Sequence, residues 1–181
     1  MTETDGTVLI VEDQEGLAEA YEAVVEMEYD ARVATSGEQA LERVDDGVDV
    51  VLLDRRMPGM SGDQVLAEFV ERGIAAKVAM LTAVEPDTDI VEMACDDYVT
   101  KPIDNDELLG LVDTLLKRSE YDRRIQRFFR LAAKKAALEQ ADKESTDEYE
   151  RLVSDMAELR EEIGSGLEEM SGQVDPRQES T

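Results

Sequence analysis

Residues 48–53 read Val-Asp-Val-Val-Leu-Leu, a run that is nearly all apolar. A strand with one wet face alternates apolar and polar residues, so this run predicts a strand covered on both faces. Apolar runs at 7–11 and 78–81 read the same way, and 32–35 and 98–100 read as two further extended segments. Between these runs the spacing turns helical. Leu17, Tyr21, Val24 and Val25 fall on one side of a helix expected over 15–28. Ser36 suits the N-cap of a second helix, to about Val44, ended by Gly47. A turn at 59–62 opens a third helix to about Arg72, broken at Gly73. A short fourth helix covers 87–93, and Pro102 leads into a fifth over 104–118. Five strands alternating with five helices imply an α/β fold, a doubly wound five-stranded parallel sheet. Right-handed crossovers place helices on both of its faces. Ligands of such sheets bind beyond the carboxyl ends of the strands.

Those strand ends carry the chemistry. Glu12 and Asp13 follow the first strand, Asp54 the third, Thr82 closes the fourth and Lys101 the fifth. Singly, each has an ordinary role: a solvated acid, a turn residue, a strand cap, a surface charge. Together they place three carboxylates, a hydroxyl and an ammonium on one rim. Crowded carboxylates repel one another and call for a cation, and hard oxygen donors suit Mg²⁺. Asp13 and Asp54 are the natural direct ligands, with Glu12 helping directly or through water. The Asp54 carboxylate is then a nucleophile for a phosphoryl group, with Lys101 and Thr82 placed to neutralise its oxygens.

Four segments carry a resemblance at this point. They are Val8-Leu-Ile-Val-Glu-Asp13, Leu52-Leu-Asp-Arg-Arg-Met-Pro-Gly-Met-Ser-Gly62, Met80-Leu-Thr82 and Asp96-Asp-Tyr-Val-Thr-Lys-Pro102. In that order they resemble the signatures of two-component receiver domains, over residues 7–118, and imply a flavodoxin-like sheet. The resemblance implies Mg²⁺-dependent phosphorylation of Asp54 by a sensor histidine kinase. It implies Glu12 and Asp13 as the acidic pocket and the Arg56 backbone carbonyl as a further metal ligand. It also implies Thr82 as switch hydroxyl, Tyr98 as switch aromatic and Lys101 as phosphate contact. The chain departs from the pattern by a stretch between Thr82 and Lys101 shorter by about one helical turn of 3.6 residues, and by Ala94-Cys95 where Gly-Ala is usual. Arg56 is also a candidate for tuning the lifetime of the phosphoryl group. Phosphatases with an Asp nucleophile at a strand end need a second Asp two residues on as general acid and base. Arg56 stands there, so an enzyme is not expected.

The charge is unusual: 45 Asp and Glu against 19 Lys and Arg, a net of −26. The apolar periodicity argues against disorder, and an acidic, lysine-poor surface resembles proteins of salt-loving archaea. At about 1 M salt the Debye length falls to about 3 Å, so dense like charge is tolerated there. The single cysteine, Cys95, suits a reducing compartment. No apolar run is long enough for a membrane span, and residues 1–6 lack the features of a signal peptide, so a cytoplasmic location is expected.

After Arg118 the charge changes sign. Residues 119–141 hold 3 acids and 6 bases: Arg123, Arg124, Arg127, Arg130, Lys134 and Lys135. Ile125, Phe128, Phe129, Ala132 and Ala136 give the stretch an amphipathic stripe. Residues 145–148, Ser-Thr-Asp-Glu, read as a capping box, and Tyr149, Leu152, Met156, Leu159, Ile163, Leu167 and Met170 form a heptad-like seam. The reading is an all-α domain over 119–170, a helical hairpin or a dimerising coiled coil, then a disordered tail over 171–181. The six bases are candidate contacts for DNA or a protein partner, unless they only balance the acidic helix that follows. The segments Tyr121-Asp-Arg-Arg, Leu131-Ala-Ala-Lys-Lys-Ala-Ala-Leu-Glu139 and Glu148-Tyr-Glu-Arg-Leu152 resemble the HalX domain found after receivers in halophilic archaea. That resemblance implies transcriptional control, through DNA or the transcription machinery. Protein–protein signalling or homodimerisation without DNA remains the alternative.

Overall fold

The computed structural model describes residues 6–172. It divides into two compact units between Ser119 and Glu120. In the first, strands β1 (Thr7–Val11), β2 (Asp30–Ala34), β3 (Val50–Leu53), β4 (Lys77–Thr82) and β5 (Asp97–Thr100) form one parallel sheet in the order 2-1-3-4-5. The helices are α1 (Glu15–Val25), α2 (Gly37–Arg43) and α3 (Gly62–Arg72), followed by α4 (Asn105–Gln140), which belongs to this unit as far as Ser119. All four residues of β3 are buried, as its unalternating sequence requires. Leu9, Val51, Leu53 and Met80 pack with Phe69 of α3 on one face, while Val8, Ile10, Leu52 and Leu81 pack with Tyr21, Leu108 and Leu115 on the other.

Local signals set the helix ends. Ser36 accepts a hydrogen bond from the Gln39 N–H, and Ser61 and Gln64 form a reciprocal capping box on α3. Gly73 ends α3 at φ +68°, a conformation that suits glycine. Strand β2 begins at Asp30, not 32, where the Asp30 N–H bonds the Gly6 carbonyl, and stops at Ala34, not 35, because the Thr35 N–H turns to the Gln39 side chain. Helix α1 ends at Val25, short of 28. Between β4 and β5 the structure holds a single 3-10 helix, Thr88–Glu92, in place of the α-helical turns expected over 87–93.

The helix expected to end near Arg118 continues to Gln140. After Gly110, no glycine or proline interrupts it, and 111–140 is rich in Leu, Arg, Ala and Lys, all good helix formers. In the second unit, α4 and α5 (Asp147–Gly172) form an antiparallel hairpin. Glu139 meets Tyr149 near the loop, Arg124 meets Glu162 further on, and Tyr121 lies against Gly166 further still. The loop turns at Asp142, φ +52°. Three expectations are corrected in this unit. The cap of α5 is Thr146, whose hydroxyl accepts from the Tyr149 N–H, so Ser145 and Glu148 form no capping box. The seam passes through Gly166, not Leu167, which is 56% exposed. A Cβ at Gly166 would sit 3.2 Å from the Tyr121 ring, so the small residue takes the inward place. Finally, Ser171 and Gly172 are helical, with the Ser171 hydroxyl donating to the Glu168 carbonyl; the remainder of the predicted tail, 173–181, lies outside the described residues.

Candidate functional site: an acidic rim at the strand ends

Strands β1 and β3 are neighbours, so their carboxyl ends bring Glu12, Asp13 and Asp54 together. One oxygen from each lies within 4.8 Å of the others. Glu12 and Asp54 are buried and Asp13 is half-buried. Lys101, at the end of β5, is anchored through its N–H to the Thr82 carbonyl at 2.8 Å. Its ammonium bonds the Glu12 carboxylate and lies 3.5 Å from Asp54 Oδ2. Asp54, Arg56, Thr82 and Lys101 also line a cavity of about 240 Å³, together with Gln14, Leu17, Ala83 and Val84.

The electrostatics follow from this crowding. Burial pushes the Glu12 carboxyl up, against the lowering effects of Lys101 and of the Gln14 N–H. Burial also works against the charge on Lys101, yet its bond to Glu12 and the Asp54 charge outweigh it, so the ammonium is held above its ordinary value. Three carboxylates against one ammonium leave a net negative site made wholly of hard oxygen donors. That set fits a divalent cation such as Mg²⁺.

A family model described as the response regulator receiver domain matches residues 8–113, more than half of the chain. The chain belongs to the response regulator receiver family. A second family model, the HalX domain, matches 117–179 behind the receiver. A Haloferax volcanii protein carrying a provisional transcriptional-regulator name is 44% identical over 172 residues, 93% of this chain and 30% of that protein. The sensory transduction protein RegX3 of Mycobacterium tuberculosis is 40% identical over 121 residues, 64% of this chain and 53% of its own length. The chain thus spans about a third to a half of these curated relatives. Among solved structures, the receiver domain of a LuxO-type repressor from Vibrio parahaemolyticus is 29% identical at TM-score 0.60, covering 66% of this chain and 96% of that one. The response regulator TrrA of Thermotoga maritima, solved with Mg²⁺-BeF, is 33% identical at TM-score 0.55, covering 61% and 98%. The Haloferax relative agrees with the acidic composition.

The receiver places its remaining predicted residues around the rim. The Thr82 hydroxyl accepts from the Val84 N–H at 3.2 Å. Tyr98 does not line the cavity; its hydroxyl donates to the Val84 carbonyl at 2.9 Å. Arg56 is exposed at the cavity mouth, and its N–H reaches Asp54 Oδ1 at 3.4 Å. Two residues have roles that the sequence does not show. Arg55, next to the acceptor, donates to the Tyr98 hydroxyl at 3.4 Å, to Asp63 at 3.0 Å and to Asp89. Its bond to Asp89, then those to Tyr98 and Asp63, raise its already high pKa. Thr82, Val84, Tyr98 and Arg55 thus form one hydrogen-bonded chain that returns to the residue beside Asp54. Gly62 is the other: its N–H donates to the Arg55 carbonyl at 2.8 Å, and a Cβ there would lie 2.2 Å from the Asp54 carbonyl oxygen. The Gly59–Gly62 turn signal marked the loop, but nothing in the sequence marks that close approach.

The helical unit sorts the six candidate bases. Arg124 bonds Glu120 and lies 3.6 Å from Glu162; Lys135 bonds Glu139 and lies over the Tyr149 ring. These two do balance charge. Arg123, Arg127, Arg130 and Lys134 are exposed. Among the described residues no helix is long and apolar enough to cross a membrane.

Proposed function

We propose that Asp54 accepts a phosphoryl group from a sensor histidine kinase and that the helical unit carries the resulting signal to transcription. The observation that carries this reading is the convergence of Glu12, Asp13 and Asp54 within 4.8 Å, beside Lys101 and at the edge of the cavity. Glu12, Asp13, Asp54 and the Arg56 carbonyl are the groups that would hold Mg²⁺, and the bound ion would neutralise charge on incoming phosphoryl oxygens. An Asp54 oxygen attacks phosphorus as the donor's P–N bond breaks, and the pair of electrons leaves with the imidazole. Lys101 holds the acceptor in place, then turns its charge to a phosphoryl oxygen. Thr82 already accepts from Val84, and its own proton remains available for a phosphoryl oxygen. Arg56, at the mouth, is placed to tune access of water to the product. With Arg56 in place of a second carboxylate, the protein is a phosphoacceptor and no enzyme toward external substrates. In this reading it works in the cytoplasm.

The test is phosphorylation by a small phosphodonor with Mg²⁺, followed by intact mass. One phosphoryl group should be gained, and Asp54→Asn should gain none; gain by that variant refutes the assignment. A second reading, output by protein docking or homodimerisation without DNA, is favoured by the exposed Phe129 and Leu167. Sedimentation with and without phosphodonor checks it.

A further inference from the structure

Among the described residues, three unpaired cations cluster on one helix, α4. Arg127, Arg130 and Lys134 are exposed and make no hydrogen bond, ion pair or ring contact among the described residues. Elsewhere on the same helix, Lys117, Arg124 and Lys135 each pair with an acid four residues away. No acid stands three or four residues from Arg127, Arg130 or Lys134; those places hold Arg, Lys, Leu, Gln and Ala. With Arg123 they recur at steps of four, three and four, which is a single line along the helix. Like charges at that spacing weaken a helix. A chain of net −26 has acids in abundance with which to relieve Arg127, Arg130 and Lys134, yet sets none beside them on the helix face.

We infer that this line is a contact for the phosphate backbone of double-stranded DNA. The inference rests on the proposed output function and specifies its surface. From Arg123 to Lys134 the line runs about 16 Å at 1.5 Å per residue, and a duplex strand carries a phosphate about every 3.4 Å of axis. The line offers charge with little apolar area: its flanking exposed positions are Gln126, Ala133 and Ala137. A stable protein interface needs roughly 800 Å² from each partner, with an apolar centre. The exposed Phe129 is turned about 100° around the helix from Arg130, off the line. The acidic remainder of the chain repels a polyanion, while this line offers it positive charge. Arg124 and Lys135, occupied within the hairpin, take no part.

The experiment uses the full chain and a short, labelled, mixed-sequence duplex, with anisotropy read from molar KCl downward and circular dichroism confirming the fold at each salt. The compared variants are Arg127→Gln/Arg130→Gln/Lys134→Gln and a charge-matched Lys143→Gln/Arg151→Gln/Arg160→Gln on the same unit. Wild type should bind with a log–log salt slope of about −3 to −4, at about 0.9 per phosphate neutralised. The first triple should lose about ten-fold or more in affinity and most of that slope; the second should keep the slope within about one unit. Duplex binding that survives the first triple, or falls equally in both, overturns the line as the contact and leaves DNA output standing. If folded wild type binds no duplex at any salt, both the line and DNA output fail. A changed sedimentation of the first triple without duplex binding would assign the line to a second copy of the chain and likewise overturn the inference.

Discussion

Replacing Gly62 by alanine tests how tightly the phosphoacceptor is held. The added Cβ would lie 2.2 Å from the Asp54 carbonyl oxygen and 2.7 Å from the Arg55 Cα. Both are main-chain atoms at the end of a buried strand, so no flexible side chain can yield. Overpacking costs about 1–3 kcal/mol, and a rigid neighbour puts this site at the upper end. Alanine's helix advantage over glycine is at most about 1 kcal/mol and smaller in the first turn, where Gly62 sits. The net loss is therefore about 2–3 kcal/mol. At roughly 3 °C per kcal/mol for a chain of this length, Tm should fall by about 6–9 °C. Gly16→Ala is the matched control. Its Cβ would meet nothing within 4 Å, and it sits near the start of α1, so Tm should rise by up to about 3 °C. Thermal melts in molar salt, with phosphodonor labelling at the lowest temperature, read both stability and site geometry. Displacing Asp54 should also slow phosphorylation of the folded variant about ten-fold or more. A Gly62→Ala protein that melts with wild type and labels at the same rate would refute the close approach.

Four further outcomes are expected. Arg55→Ala should release Tyr98 and the Thr88–Glu92 turn, seen as faster hydrogen exchange there. Because Arg55 holds the Asp89 carboxyl below its ordinary range, the stabilisation is complete above about pH 4 and is lost as pH falls through the lower folded value. The Arg55→Ala deficit should therefore shrink in acid, and a deficit that grows there contradicts the pairing. Glu12 has the opposite sign: burial raises its pKa, so without divalent ions stability should fall as pH climbs above about 4.3, and Glu12→Gln should flatten that limb. Added Mg²⁺ should raise the wild-type Tm more than that of Glu12→Gln, and equal shifts would remove Glu12 from the metal site. Finally, wild-type Tm should rise steeply from dilute buffer to molar salt, since the charge is then screened; equal melting at both refutes a stability tuned to salt.

The sheet was legible because its strands announce themselves twice, by apolar runs and by the polar residues that end them. Glu12, Asp13, Asp54, Thr82 and Lys101 each sit one or two residues past, or at, a strand terminus, and parallel order alone carries them to one rim. The role of Arg55 was not legible, because its partners Asp63, Asp89 and Tyr98 lie on three other segments. Helix continuity through Arg118 was missed for the reverse reason: a shift in charge looks like a boundary, but a helix ends only where backbone chemistry ends it. The one-residue errors at Thr146 and Gly166 share a cause. Side-chain patterns locate a face, while the cap and the inward register depend on which backbone group or ring is nearest.

The Tyr121–Gly166 pair bears on more than packing. A hairpin with a uniform heptad seam has a competing alignment seven residues away, in which every apolar position again faces an apolar position. Here that alignment would drive the Tyr121 ring onto Leu159, the seam residue one heptad before Gly166 and the one buried residue of α5. The bulky ring and its vacant counterpart act as a key and its ward, admitting one alignment of the two helices and rejecting its neighbour.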